Sequence, residues 1–202
     1  MSDQPQQPII GSVLRASTTG FVCGTRSQEI VHPTFGAFVR TRHGQYDDID
    51  VIGLIHAISI DDDPLVRQMI LANNMNMATM RDQRENRMVP VEISVVNVGY
   101  IYRNAVYQTL PPRPPLSLDP VQLCDQETIL QFTARLDFLR LVLNAPDVPT
   151  EELLAAALND AAYARWEDER YPFLVEAGRR LATLLSHDLP RLQHLLRLIK
   201  PA

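Results

Sequence analysis

The sequence predicts an α+β protein, a small antiparallel β-barrel followed by a C-terminal α-helical module. Three observations carry this expectation. Short β-branched and aromatic runs recur between turn residues up to about residue 109. From about residue 126 the apolar residues recur at helical spacing instead. Between the two lies a proline-rich joint, Leu110-Pro-Pro-Arg-Pro-Pro-Leu-Ser-Leu-Asp-Pro120, and all but one of the 8 glycines fall before it. The expected organisation is a barrel over residues 1–109, a proline-rich linker over 110–125 and a helical module over 126–202.

The strand runs are residues 12–14, 20–23, 37–42, 51–60, 91–100 and 105–109. The run 91–100, VEISVVNVGY, alternates and then gives way to a buried pair at Val95 and Val96, which reads as a central strand. One helix is expected to interrupt the strands over 61–74. Asp61, Asp62 and Asp63 supply an N-cap, Pro64 fits the first helical position, and Leu65, Val66, Met69 and Ile70 share a face. Beyond the joint, Ile129, Leu130, Phe132, Leu136, Leu139, Val142 and Leu143 predict one amphipathic helix closed by Asn144 and Pro146. Thr150-Glu-Glu-Leu opens a second, with acids in its first turn that suit the macrodipole. Residues 166–186 carry a third, and Pro190 begins a short last one.

The formal net charge of −5 over 202 residues argues against a chain-wide electrostatic hold on nucleic acid, although a local basic patch remains open. Of 19 basic residues only Lys200 is lysine, which removes the phosphate-binding loop GxxxxGK[ST] and lysine-based covalent chemistry. Apolar stretches end well before the length of a membrane span and no apolar leader opens the chain, so the expectation is a cytoplasmic protein with no membrane contact. Cys23 and Cys124 are read as buried thiols.

The acidic clusters Asp47, Asp48, Asp50 and Asp61, Asp62, Asp63 flank one strand, about 35 Å apart if it runs straight, so they read as turn and cap residues and not as a joint site. His32, His43, His56, His187 and His194 show no metal-ligand spacing, and no GxSxG elbow is present. No cofactor, metal or catalytic residue is expected. Candidate interaction residues lie elsewhere. Arg81, Arg84 and Arg87 recur every third residue, able to face phosphate or an acidic partner, although Asp82 and Glu85 offset them. Met75, Met77 and Met80 make an adaptable contact surface or loose core filler. Arg113 sits in a PxxP segment, which reads as a stiff spacer or as a ligand for an aromatic groove.

Four segments in order carry a family resemblance: Ile10-Gly-Ser-Val-Leu-Arg-Ala-Ser-Thr-Thr-Gly-Phe-Val22, Pro33-Thr-Phe-Gly-Ala-Phe-Val39, Val51-Ile-Gly-Leu-Ile-His-Ala-Ile58, and Val95-Val-Asn-Val-Gly-Tyr100 leading to Leu110-Pro-Pro-Arg-Pro-Pro115. Over residues 8 to 125 they resemble the HAS barrel, the N-terminal module of HerA-type DNA-translocating ATPases that is shared with ATP synthase head subunits. The resemblance implies a HAS-like barrel that oligomerises or docks a HerA-like ATPase or a nuclease. The motor domain that follows it in that family has no counterpart here. The expected function is therefore a non-enzymatic adaptor. The alternative is a nucleic-acid-binding barrel using Arg15, Arg26, Arg40, Arg42 and the arginines from 81 to 87, and a third class is an enzyme assembled from scattered residues such as Arg42, His56 and Asp62.

Overall fold

The computed structural model describes residues 8–26, 33–42, 48–60 and 90–199. Seven strands are described: β1 (Ile9–Ala16), β2 (Gly20–Arg26), β3 (Phe38–Arg42), β4 (Ile49–Ile60), β5 (Pro90–Tyr102), β6 (Ala105–Tyr107) and β7 (Pro120–Leu123). Five helices follow: α1 (Gln126–Phe132), α2 (Leu139–Leu143), α3 (Thr150–Tyr163), α4 (Glu167–Leu184) and α5 (Leu189–Ile199). Strands pair in the order β2-β1-β7-β3-β4-β5-β6, and β2 also pairs with β5. Six strands thus close into an antiparallel barrel, with β6 appended to β5 outside the ring. Closure leaves the ring without an unpaired edge.

Strand length and bulges shape the closure. β5 runs 13 residues and pairs along one part with β2 and along all of it with β4, so that Val95 faces both Phe21 and Ile55. Extra residues break the register at Leu14 on β1, at His56 on β4 and at Val98 on β5. Each bulge adds bend and twist that a small barrel requires. The β1–β2 turn is held by Asn97, whose side-chain amide donates to the Ser17 and Thr18 carbonyls.

Two apolar cores share the barrel wall. Ile10, Val13, Phe21, Cys23, Val39, Ile55, Ile93, Val95 and Val121 fill the interior. The neighbours of several of these, Phe38, Ile52, Leu54, Val96 and Val98, point the other way and pack with the helices. The adjacency of Val95 and Val96 is thereby explained: one faces the lumen and the other the helical layer. Gly36, at φ +86°, is needed at the seam, because a Cβ there would run into Ala156 on α3.

Two sequence expectations are corrected. The apolar run from Ile129 to Leu143 is not one helix: α1 ends at Phe132 and α2 starts at Leu139. Gln108 holds the break. Its amide nitrogen donates to the carbonyls of Phe132 (2.6 Å) and Arg135 (2.8 Å), and its oxygen accepts from the Phe138 amide (2.9 Å). This capture turns Phe132 and Phe138 onto Phe38, with ring centroids 5.7–6.1 Å apart. The stretch 110–125 is also more than a linker, because β7 within it pairs with β1 and β3 and completes the barrel. The helix expected over 61–74 lies outside the described residues.

Candidate functional site

Met75, Met77, Met80, Arg81, Arg84 and Arg87 lie outside the described residues, as do Asp47, Asp61, Asp62, Asp63, His32, His43 and the side chain of Arg26. Arg113 is exposed on the stretch that leads into β7. The barrel arginines face carboxylates. Arg15 makes a two-pronged pair with Glu92 at 3.1 and 3.2 Å, Arg42 does the same with Asp50 at 2.9 and 3.2 Å, and Arg40 lies 4.0 Å from Asp125. Such pairing removes most of the charge these side chains would offer to phosphate. Arg42 and His56 are not brought together: Asp50, opposite Arg42, is six residues from His56 along β4, about 20 Å.

The two thiols are buried as expected. Burial pushes Cys23 up to about 12, and it raises Cys124 as well. Neither is a nucleophile in the folded chain. Burial lowers the pKa of His56, which favours the neutral imidazole at neutral pH. Among the described residues, no three His, Cys, Asp or Glu side chains group around a common point. Among them, too, no helix is long and apolar enough to cross a membrane.

Two clefts and one ridge stand out on the surface. The larger cleft, about 580 Å³, lies between the β1–β2 turn, β5 and the chain from α2 to Val148. Arg15 in its wall is committed to Glu92 and the Asn97 amide nitrogen to the turn, while Asn97 Oδ1 is buried without a hydrogen-bond partner. The smaller cleft, about 370 Å³, lies between β6, the α1–α2 connection and α4, and Tyr107, Arg135, Asp137, Arg140 and Arg180 line it. Asp137 bridges two of its arginines, with one oxygen 2.6 Å from Arg135 and the other 2.6 Å from Arg180. Arg140 borders both clefts and makes no ion pair among the described residues.

The ridge runs along the outer wall at β1 and the approach to β7. Leu14, the extra residue of its bulge, is 48% exposed, Leu116 is 51% and Leu118 is 80%. Leu118 sits at φ +73°, a conformation that costs a branched L-residue about 1–2 kcal/mol. The loop is pinned there. The Leu118 amide donates to the Val13 carbonyl at 2.8 Å, the Leu116 amide to Asp119 Oδ2 at 2.7 Å, and the Ser117 hydroxyl to the Leu14 carbonyl at 3.4 Å.

Of the residues that make these features, the sequence singled out only Arg15 and His56, which line the larger cleft. Arg135, Asp137, Arg140 and Arg180 come from a connection and two helices, and the Asp137–Arg180 pair spans 43 residues, so no local motif marks them. No protein-family model matches the chain, and no curated protein matches it closely enough to lend it a function.

Proposed function

We propose that this chain is a non-enzymatic, cytoplasmic adaptor whose barrel, HAS-like in its sequence pattern, self-associates or docks a HerA-type ATPase or a nuclease. One observation carries the reading: three leucines at β1 and the approach to β7 are exposed, and the most exposed of them, Leu118, sits at positive φ in a loop that three hydrogen bonds pin to β1 and to Asp119. A side chain kept at a backbone cost, away from any core, fits a contact made outside the chain. The six-stranded closed barrel and its order of strand segments are consistent with the resemblance in residues 8 to 125.

Two variants of Leu118 test this. Leu118→Asp is expected to abolish self-association in light scattering and partner capture from a nuclease-treated lysate. Leu118→Gly removes the knob while relieving the left-handed strain, so it is expected to weaken association while raising stability by about 1 kcal/mol. A wild-type chain that stays monomeric and captures nothing, or association untouched by both variants, overturns the reading.

A further inference from the structure

The corner between α3 and α4 carries three large aromatic side chains that the fold does not use. Trp166 is 78% exposed, Tyr163 72% and Tyr171 67%. None of the three belongs to either apolar core. Trp166 also does nothing for the helix it begins. It holds the N-cap position of α4, where a serine, threonine, asparagine or aspartate would accept a backbone amide, and it makes no side-chain cap hydrogen bond. A tryptophan placed at a cap and turned to water has no role within the chain, whereas exposed tryptophan and tyrosine together are what the centre of a protein contact is made of. The three rings occupy one surface: the Arg170 guanidinium lies 5.1 Å over the Tyr163 ring, with Trp166 one helical turn before Arg170 and Tyr171 next to it.

The charges around the rings set the sign of what can dock there. Both arginines of the corner are engaged inside the chain. Arg165 stacks on Phe173 at 3.6 Å and donates to the Ala161 carbonyl and to Thr133. Arg170 covers one face of Tyr163 and donates to the Arg165 carbonyl. Glu167, Asp168 and Glu169, by contrast, are all exposed in the first turn of α4, and Glu167 and Asp168 make no ion pair among the described residues. The macrodipole accounts for acids at this position but not for the rings beside them. An anionic partner, whether nucleic acid or an acidic membrane, meets three carboxylates here. A guanidinium meets ring faces and carboxylates at once, stacking on the first and pairing with the second.

We propose that the α3–α4 corner docks an arginine-bearing segment of a partner protein, with its guanidiniums laid on Trp166 and Tyr171 and paired with Glu167 and Asp168. The surface belongs to the helical part of the chain and does not depend on the leucine ridge of the barrel wall, so the two contacts stand or fall separately.

Trp166 is the one tryptophan of the chain, so its emission reports on the corner directly. Titrating the full chain at low salt with a peptide of four arginine–glycine repeats is expected to change that emission saturably, and the glutamate–glycine peptide of the same length is expected to leave it unchanged. With the arginine peptide fluorescein-labelled and read by anisotropy, Trp166→Ser is expected to weaken binding about fivefold without lowering the melting temperature, because serine is the better cap. Glu167→Gln combined with Asp168→Asn is expected to weaken it by about the same factor. Asp147→Asn combined with Glu152→Gln removes equal charge from exposed positions at the other end of α3 and should leave binding unchanged. Absence of saturable binding overturns the proposal. So does binding indifferent to Trp166→Ser, binding that falls equally in the two charge-removing pairs, or a glutamate–glycine peptide that binds as well. Emission that shifts with protein concentration alone, in step with dimer formation in light scattering, assigns the corner to a second copy of the chain and also overturns the proposal.

Discussion

Asp137 carries two arginines on one carboxylate, so its protonation would weaken two ion pairs at once. The hydrogen bond from Arg135 and the charges of Arg135 and Arg180 hold its carboxyl below the usual carboxylate range, against a smaller opposing effect of burial. A folded pKa below the unfolded one means the pair contributes fully above the unfolded value, about 3.9, and that this contribution is lost as pH falls through the lower folded value. The Asp137 side chain is 34% exposed, so solvent screening keeps the contribution small. Asp137→Asn is expected to lower the melting temperature slightly at pH 7, and the gap from wild type should close as the pH falls through the lowered folded value. A gap unchanged at pH 2 would mean that the loss comes from packing and not from charge. At this scale the sequence was informative about burial and silent about assembly. Cys23 and Cys124 read as buried thiols because a chain of this size can build its core without a disulfide and two cysteines make no disulfide framework. Nothing in the sequence marks Arg135 and Arg180 as a pair, because the carboxylate that joins them is 43 residues from Arg180.

The α1–α2 break shows where an element departs from its own period. The apolar spacing through Ile129, Phe132, Leu136, Leu139 and Val142 satisfies a single helix, and nothing local opposes one until Asn144. The deciding group is Gln108, 24 to 30 residues away, which offers a buried amide to the freed Phe132 and Arg135 carbonyls and the Phe138 amide. Removing it strands those groups in an interior where Phe132 and Phe138 are fully buried. Gln108→Ala is therefore expected to destabilise the chain by roughly 2–4 kcal/mol in denaturant unfolding. Gln108→Glu, which keeps the acceptor but loses both donated bonds, should not restore it. A loss under about 1 kcal/mol would mean that the aromatic cluster alone sets the break. The other helices follow their local signals closely, since Thr150 and the acids after it open α3, and the strands centre where β-branched residues alternate.

At the scale of the molecule, the barrel and the helices stand or fall together. Phe38, Ile52, Leu54, Val96 and Val98 belong to barrel strands, yet their side chains share a core with α1 through α5. Two probes should then report one event: reactivity of Cys23, inside the barrel, and loss of far-ultraviolet helical signal are expected to share a midpoint in urea. Separate midpoints would show two independently stable units. The sequence conveyed two grammars and the proline-rich joint between them, which invited a division into domains. What it could not convey is that the joint contains the strand that closes the ring, because β7 is only 4 residues long and its partners, β1 and β3, lie some 110 and 80 residues earlier. That placement has a consequence during synthesis. The closing strand is translated last, after every strand it must separate, so as the nascent chain lengthens, β1 and β3 have no partner on their facing edges until residue 123 is available. The proline-rich segment is translated just before that moment. The chain is thus most exposed to mispairing with its neighbours on a polysome between the emergence of β5 and that of β7, and fragments released prematurely in that interval carry two bare strand edges.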